Sequence, residues 1–466
     1  MSRVSILRLT GGQHESLLKH LFPGDGMEAV AVALCGRRES PRASILMVHK
    51  IVMIPYAACR RDEYRITWPV ELAQQLIAEA AQKHMGILKI HSHPGGYDQF
   101  SDVDDRSDSE LFPSIHAWTD DGLPQASAVM LPCGRIFGRI HLSDGSWQPL
   151  DRVAVAGDDI LFFDHDQKPE EVSADQLRTA QAFGAGTTTR FRHLTFGVLG
   201  SSGTGSWVIE QLGRIGSGRL IPVDPDRVEN KNLNRIIETV STDADAQRYK
   251  VHVFAERVPN FGTHCIVEPY ADSVLNREIA NRLAECDVLF GCVDSLEGRD
   301  VLNRIATFYT IPYFDLGVLL RADGKGGVET VCGSVHYLLP DGSSLLSRGV
   351  YTPEDLAAET LKRTNPEQYE ALRKEGYIRG VRENSPAVIS INGFIASAAV
   401  NEFLARIHQF RLELNSDQRW QLFDLVNCSW THPPDGGPCP LLAKRAGRGD
   451  LLPFLDCNLI AEKTGV

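Results

Sequence analysis

Leu194-Thr195-Phe196-Gly197-Val198-Leu199-Gly200-Ser201-Ser202-Gly203-Thr204-Gly205 decides the fold class of this chain. The first six residues have the apolar character of a buried strand. A glycine-rich turn follows, and Ser206 to Ile215 has the spacing of a helix. A strand, a glycine turn and a helix in that order aim backbone N–H groups and a helix N-terminus at an anion. Position 202, where a dinucleotide fingerprint has its second glycine, is serine, so taken alone the motif suits NAD, ATP or merely a tight turn. The pattern predicts an α/β region with a doubly wound sheet, opening near Arg190.

Downstream, Arg219-Leu220-Ile221-Pro222-Val223 reads as the second strand and leads into Asp224-Pro225-Asp226, then Asn232-Leu233-Asn234-Arg235. A carboxylate at the end of that strand stands where it can bind ribose hydroxyls. Asp287 to Asp294 is another strand that ends in a carboxylate. From about Arg190 onward, this order of motifs resembles the ThiF/MoeB/ubiquitin-activating superfamily. The resemblance implies a Rossmann-like, ThiF-type adenylation domain that uses ATP and Mg²⁺. In it Gly200, Gly203 and Gly205 form the phosphate loop and Asp224 and Asp226 the ribose end. Asn232, Arg235 and Lys250 contact phosphates, and Asp294 holds Mg²⁺. Arg178 occupies the place of an arginine that enters the ATP site of a partner subunit, which implies a homodimer. Arg235 and Lys250 would act catalytically, stabilising charge as a C-terminal carboxylate attacks the α-phosphate and pyrophosphate leaves. The structural alternative is an Asp224–Arg235 ion pair in a nucleotide-free fold.

Upstream lies a second constellation: His91-Ser92-His93-Pro94, then Ser101 and Asp104. Two histidines one residue apart can project from one side of an extended segment and share a metal. A downstream aspartate can complete three ligands and leave a position for water. The pattern resembles the JAB/MPN (JAMM) metalloproteases, which cleave peptide or isopeptide bonds after the C-terminus of ubiquitin or a ubiquitin-like protein. The resemblance implies an α+β zinc peptidase domain in which His91, His93 and Asp104 bind one Zn²⁺ and Ser101 hydrogen-bonds the oxyanion. Glu28, at the head of the apolar run Ala29 to Gly36, is the candidate general base. Glu71 is the rival, within Trp68 to His84, which reads as an amphipathic helix with Leu72, Leu76 and Ala80 inward. The bland alternative makes Asp102, Asp104, Asp105 and Asp108 a solvated acidic turn.

The 466 residues accommodate two or three domains. Residues 1–150 are assigned to the JAB/MPN-like domain, 151–189 to a linker and docking helix with Ser173 as its N-cap, and 190–466 to the adenylation domain. Gly184 to Thr189 is read as a short connector. A formal net charge of −12 argues against broad nucleic-acid binding. No apolar run is long enough to cross a bilayer and no signal-peptide pattern opens the chain, so a cytoplasmic protein without membrane contact is expected. The ten cysteines are scattered and read as reduced thiols.

The sequence departs from the activating-enzyme pattern in two places. The paired Cys-x-x-Cys motifs of many relatives are missing around His336 to Ser344 and near Cys428 and Cys439, so no structural zinc is expected there. No cysteine lies between Cys332 and Cys428, which removes the usual thioester nucleophile of the crossover loop. Three routes remain: direct transfer of the adenylate, a cysteine from elsewhere (Cys332, Cys428, Cys439 or Cys457), or an ester on Ser344 or Ser347. Tyr351 to Gly376 reads as helical from Pro353, and Ser385 to Gly393 opens a small-residue helix, Phe394 to Arg406. Arg445 to Asp450 reads as a surface loop.

Together the two resemblances imply a bifunctional protein of a ubiquitin-like pathway. A zinc peptidase would trim or deconjugate a small β-grasp protein, and an ATP-dependent activator would adenylate its C-terminus for a separate conjugating enzyme. Bacterial operons pair such domains, some of them in antiviral defence. The alternatives are activation of a sulfur carrier through a thiocarboxylate and a non-catalytic scaffold for ubiquitin-like proteins.

Overall fold

The computed structural model describes residues 3–165, 171–323, 325, 327–375 and 387–460. It divides into two compact units. One comprises Met1–Gln167 with Thr307–Thr310 and Leu441–Asp456, and the other holds the rest. No described helix is long and apolar enough to cross a membrane.

The first unit runs β1 (Val4–Thr10), α1 (Gly11–Leu21), β2 (Val30–Glu39), β3 (Ala43–Met53), β4 (Arg60–Arg61), β5 (Ile66–Thr67), α2 (Gln74–Lys83), β6 (Gly86–Ser92), α3 (Asp102–Thr119), β7 (Gln125–Met130), β8 (Ile136–His141), β9 (Trp147–Pro149), β10 (Arg152–Ala156) and β11 (Ile160–Asp164). Nine strands form one mixed sheet in the order β11-β10-β1-β3-β2-β6-β7-β8-β9. Its central strands are buried on both faces, which explains the unbroken apolar run from Ala29 to Cys35. Ala29, Ala31, Ala33 and Cys35, with Leu88 and Ile90 of β6, pack with Leu17 and Leu21 of α1. Val30, Val32 and Leu34, with Ile87, pack with Leu76 and Ile77 of α2 and with Phe112 and Ile115 of α3. By the two-residue period of a strand, Lys89 and His91 share Ile87's side and turn toward α3.

The second unit runs α4 (Leu177–Phe183), α5 (Ala185–His193), β12 (Thr195–Leu199), α6 (Gly203–Ile215), β13 (Arg219–Val223), α7 (Ser241–Asp245), α8 (Lys250–Arg257), β14 (Ile266–Val267), α9 (Arg277–Leu283), β15 (Val288–Gly291), α10 (Leu296–Phe308), β16 (Tyr313–Ala322), β17 (Val328–Leu338), α11 (Pro353–Thr364), α12 (Pro366–Lys374), α13 (Ile389–His408), β18 (Trp420–Asp424) and β19 (Ser429–Thr431). The sheet order is β14-β13-β12-β15-β16-β17-β18-β19. Strands β14 to β16 are parallel, and β17, β18 and β19 each add antiparallel. The chain passes from β12 outward to β13, then returns to β15 on the other side of β12. This reversal opens a crevice at the C-terminal ends of those strands.

Several elements differ from the sequence reading. The segment after Leu150, expected to begin a linker, instead carries β10 and β11 in the first sheet, with β10 parallel to β1. Its acidic and turn residues cluster in the tight connection between two short strands. Gly184 to Thr189, expected as a connector, is largely the first turn of α5. Ser173 precedes a single 3₁₀ turn, and its hydroxyl accepts from Arg192 rather than capping it. Leu72 is exposed, because it lies in a 3₁₀ turn that precedes α2, so of the three residues expected inward Leu76 and Ala80 are buried and Leu72 is not. The helical stretch from Pro353 breaks at Asn365, ahead of Pro366, into α11 and α12. Gly376, Ser385 and Pro386 lie outside the described residues. Arg445 to Asp450 is no open loop, since Gly447 accepts from the Gly36 amide of β2 and Gly449 bridges Arg37. The missing side chain at Gly36 admits this approach, because a Cβ there would lie 2.2 Å from the Gly447 carbonyl oxygen.

Candidate functional sites: a histidine–carboxylate centre and a glycine-loop crevice

In the first unit, three chain segments deliver the expected residues to one point. His91 lies at the end of β6, held in register between Val30 and Val129. Just past that strand, His93 is fixed by its amide, which donates to Met130, and by its ring Nδ1, which donates to the Tyr97 carbonyl at 2.8 Å. That bond leaves Nε2 to face the centre. Asp104 arrives on α3, whose start is a capping box. The Ser101 hydroxyl accepts from the Asp104 amide, and Asp104 Oδ2 accepts from the Ser101 amide at 2.8 Å and hydroxyl at 2.7 Å. The Ser-x-x-Asp spacing therefore has a local cause as well as a chemical use. Glu28 precedes β2, where Ser92 ties the two segments through its amide to Ala29 O and its hydroxyl from Ala29 N.

The donor atoms converge. His91 Nε2 lies 3.2 Å from His93 Nε2 and 2.8 Å from Asp104 Oδ1, and His93 Nε2 lies 3.3 Å from Asp104 Oδ2. Ligand atoms of Glu28, His91 and His93 also lie within 4.8 Å of one another, and all four residues are buried. A tetrahedral zinc with ligands at about 2.0–2.1 Å separates ligand pairs by roughly 3.3 Å, so the His–His–Asp donor set fits such an ion. Burial raises the Glu28 carboxyl to about 7, with Asp104 adding to the rise and His93 opposing it. Burial lowers His91. For Asp104 burial acts upward, but hydrogen bonds to His91 and His93 outweigh it and hold the carboxyl far below its usual range. Glu71, the rival base, is exposed on the turn before α2.

The sequence reading missed the layer behind these residues. One helical turn after Asp104, Asp108 is buried and pairs with Lys89 Nζ at 2.5 Å and Arg139 Nη2 at 2.8 Å. His141 stacks on Phe112 and accepts or donates at Ser127. Asp102 and Asp105 are exposed while Asp104 and Asp108 are not, so the acidic turn is half solvated and half structural. The i, i+4 spacing of Asp104 and Asp108 was the available signal.

In the second unit, the C-terminal ends of β12, β13 and β15 carry the glycine loop, Asp224 and Asp294 respectively. Gly200 has φ +90°, and a Cβ there would lie 2.5 Å from the Cys292 carbonyl oxygen. One from Gly205 would meet Gly200 O at 1.9 Å, so both positions exclude a side chain. The helix starts at Gly203, three residues earlier than read, which places Gly203 and Gly205 in its first turn. Asp224, buried, accepts from the Ser201 amide at 2.7 Å and the Asp226 amide at 2.8 Å, locking loop to strand. Burial raises its carboxyl, and Lys250 opposes. Lys250 is buried at the start of α8, with Nζ 2.7 Å from Asp226 and 3.6 Å from Asp224.

Among the described residues, no hydrogen bond or ion pair ties the remaining expected residues to that group. Asn232 is buried in a 3₁₀ turn, where its side-chain Oδ1 accepts from the Glu229 amide. Arg235 donates to Lys231 O and Asn234 within its own turn, so the alternative Asp224–Arg235 pair is not formed. Asp294 is exposed beyond β15. Arg178 is exposed on α4, donating to Gln181. Where a zinc knuckle would sit, Arg348 pairs with Asp435, which also bonds Ser343 and Arg419, and the Cys439 amide donates to Gly342 O. Ser344 and Ser347 are engaged with each other, each amide donating to the other's hydroxyl.

Comparison with known proteins agrees with both halves. Residues 174–437, more than half the chain, match the model of the ThiF family, and residues 12–148 match that of prokaryotic homologs of the JAB domain. The chain belongs to the ThiF family and carries an N-terminal domain of the prokaryotic JAB type. Among similar proteins, the SAMP-activating enzyme E1 of Haloferax volcanii is 30% identical over 145 residues, 31% of this chain and 49% of that protein. Ubiquitin-like modifier-activating enzyme 5 of Caenorhabditis elegans is 29% identical over 193 residues, 37% of this chain and 44% of that protein. The chain thus spans about half the length of the curated relatives it matches. A crystal structure of E. coli MccB with ATP superposes at TM-score 0.43 and 14% identity, covering 58% of this chain and 74% of that one.

Proposed function

We propose that this chain processes and activates a ubiquitin-like protein, one unit hydrolysing a bond at that protein's C-terminus and the other adenylating the terminus. The convergence of His91, His93, Asp104 and Glu28 in one buried centre carries the reading. His91, His93 and Asp104 would hold Zn²⁺. Bound there, it would supply a Lewis acid and a nucleophile available at neutral pH. Glu28, with a carboxyl near 7, can take a proton and return it to the leaving amine. Ser101 stands on the same helix start as Asp104, and its hydroxyl, which donates to Asp104 Oδ2 in this structure, would turn from that carboxylate to donate to the carbonyl oxygen of a bound peptide.

In the second unit the substrate's C-terminal carboxylate would attack the α-phosphate of ATP, forming an acyl adenylate and releasing pyrophosphate. The glycine loop, Lys250 and Arg235 would offset charge on the phosphates. Asp224 and Asp226 would meet the ribose, and Asp294 would bind Mg²⁺ through oxygen. Asn232 would contact phosphate. Arg178 would complete the site of a second copy in a homodimer. A separate conjugating enzyme would take the product, since the crossover region lacks cysteine between Cys332 and Cys428. That same lack favours the second reading, transfer to a sulfur donor that yields a thiocarboxylate.

Intact-protein mass spectrometry tests the proposal. The full chain is incubated with a panel of β-grasp proteins carrying C-terminal extensions, with and without Mg-ATP, beside His93→Ala and Asp294→Ala. Trimming lost in the first variant and adenylate formation lost in the second are the expected results. A product 16 mass units heavier than the carboxylate would select the sulfur-carrier reading. Binding without either product would select a scaffold.

A further inference from the structure

The fourth residue of α13, Asn392, is 4% exposed, and its side-chain Nδ2 has no hydrogen-bond partner among the described residues. A buried amide donor without an acceptor is costly and uncommon. Its position is specific. The carboxamide lies directly over Gly203, the first residue of α6, and a Cβ on Gly203 would come within 2.2 Å of Nδ2. A Cβ on the next residue, Gly393, would lie 3.1 Å from the ring of Trp207, one turn along α6 from Gly203. Two helix starts, those of α6 and α13, therefore meet at the glycine loop. In the loop itself Ser201 is fully buried, and its hydroxyl also lacks a partner among the described residues.

The first turn of a helix presents N–H donors, which cannot accept from the Asn392 amide. An anionic oxygen held at that helix start would accept from the helix N–H groups and from the unpaired Asn392 amide together. We infer that Asn392 is a nucleotide-phosphate ligand, donating its side-chain N–H to a phosphate oxygen held at the start of α6. This rests on the adenylation reading above and adds to it a residue from the far end of the domain, about 190 positions beyond the loop it serves. It also gives Gly203 a purpose apart from the turn, because any side chain there would displace the carboxamide.

The test is calorimetric binding of Mg-ATP and of adenosine to the full chain, together with its thermal unfolding without ligand, for wild type, Asn392→Ala and Asn392→Asp. Removing an unsatisfied buried amide should leave the ligand-free unfolding midpoint of Asn392→Ala equal to or above that of wild type. Its Kd for Mg-ATP should rise about tenfold, the worth of one hydrogen bond to a charged group. Asn392→Asp, which sets a negative charge toward the phosphates, should weaken Mg-ATP further. Adenosine, which has no phosphate, should bind both variants within twofold of wild type. The inference is overturned if Asn392→Ala binds Mg-ATP within twofold of wild type. It is also overturned if that variant melts lower and loses adenosine in equal measure, the mark of a residue that merely joins α13 to α6. Wild-type protein that binds no Mg-ATP would remove the adenylation reading and this inference with it. Normal wild-type binding with unaffected variants would remove this inference alone.

Discussion

The two centres are built in different ways. In the histidine–carboxylate centre, side chains from β6, the loop after it, α3 and the approach to β2 already point their ligand atoms into one small volume. In the glycine-loop crevice, the fixed elements are the backbone of the loop, Asp224 and Lys250, while Arg235 bonds within its own turn and Asp294 is exposed. A metal is held by a few directed bonds, so the protein must fix side chains against one another beforehand. A nucleotide is held first by backbone N–H groups and a helix end, and side chains can complete the contacts once it is seated. Single substitutions should therefore cut deeply in the first centre and by degrees in the second.

The largest effects should come from the first centre. His93→Ala and Asp104→Ala should remove both the metal and C-terminal trimming. Glu28→Gln should keep the metal and lose trimming by about 10²–10⁴-fold, the usual worth of a general base. Metal content by elemental analysis, read beside the cleavage rate, separates the roles. If Glu28→Gln lost the metal while Asp104→Ala kept it, Glu28 would be the ligand, and the assignment of the two carboxylates would be reversed.

Next comes the layer behind the centre. Asp108→Ala leaves the buried Lys89 without its carboxylate and Arg139 with Asp105 as its remaining ion-pair partner, and should cost about 3–5 kcal/mol in denaturant unfolding of that unit. Hydrogen bonds to His141 and the charge of Lys89 outweigh burial and hold the Asp108 carboxyl far below its usual range. A carboxyl depressed on folding stabilises above its unfolded pKa of about 3.9, and the gain is lost as pH falls toward the folded value. The difference between wild type and Asp108→Ala should thus be flat from pH 5 to 8 and shrink below about pH 4. A deficit that peaked near neutrality would point to His141 instead.

In the second centre, Lys250→Ala should weaken Mg-ATP by about tenfold to a hundredfold in calorimetry without abolishing binding, because the loop amides remain. Complete loss would make this centre as dependent on one side chain as the first, and the contrast between them would fail.

The sequence made the candidate site residues legible and left their supports obscure, for a physical reason. His91, His93, Ser101 and Asp104 lie close in the chain, and the strand and helix periods suffice to bring them together. Asp224 and the glycine loop likewise sit at strand ends that the apolar pattern marks. Asp108 lay hidden because a carboxylate in an acidic run looks solvated, and Arg139 and His141 because alternate polar residues of a strand read as its solvent face, until the helix and sheet that cover them are known. β10 and β11 were missed because strands of five residues beside Asp-rich turns carry little periodic signal. Asn392 could not be connected with Gly203 from the sequence, since only the crossing of α13 over α6 joins them. Arg348 and Asp435 are a similar case, an ion pair holding together two segments whose pairing no local pattern foretells.

The smallest expected effect tests where the two kinds of construction overlap, at Ser101. Its hydroxyl is at once the N-cap of α3 and the group nearest the Asp104 carboxylate. Ser101→Ala removes a cap and should cost about 1 kcal/mol of stability. That loss alone would not reveal a role in the reaction, because α3 also positions Asp104. Ser101→Asn separates the two, since asparagine caps as well as serine but carries its donor on a longer side chain. If the hydroxyl merely caps, Ser101→Asn should match wild type in unfolding midpoint, metal content and rate. If it also serves the carbonyl oxygen of the substrate, stability and metal should hold while the maximal rate falls about tenfold or more with little change in KM, because an interaction made in the transition state registers there.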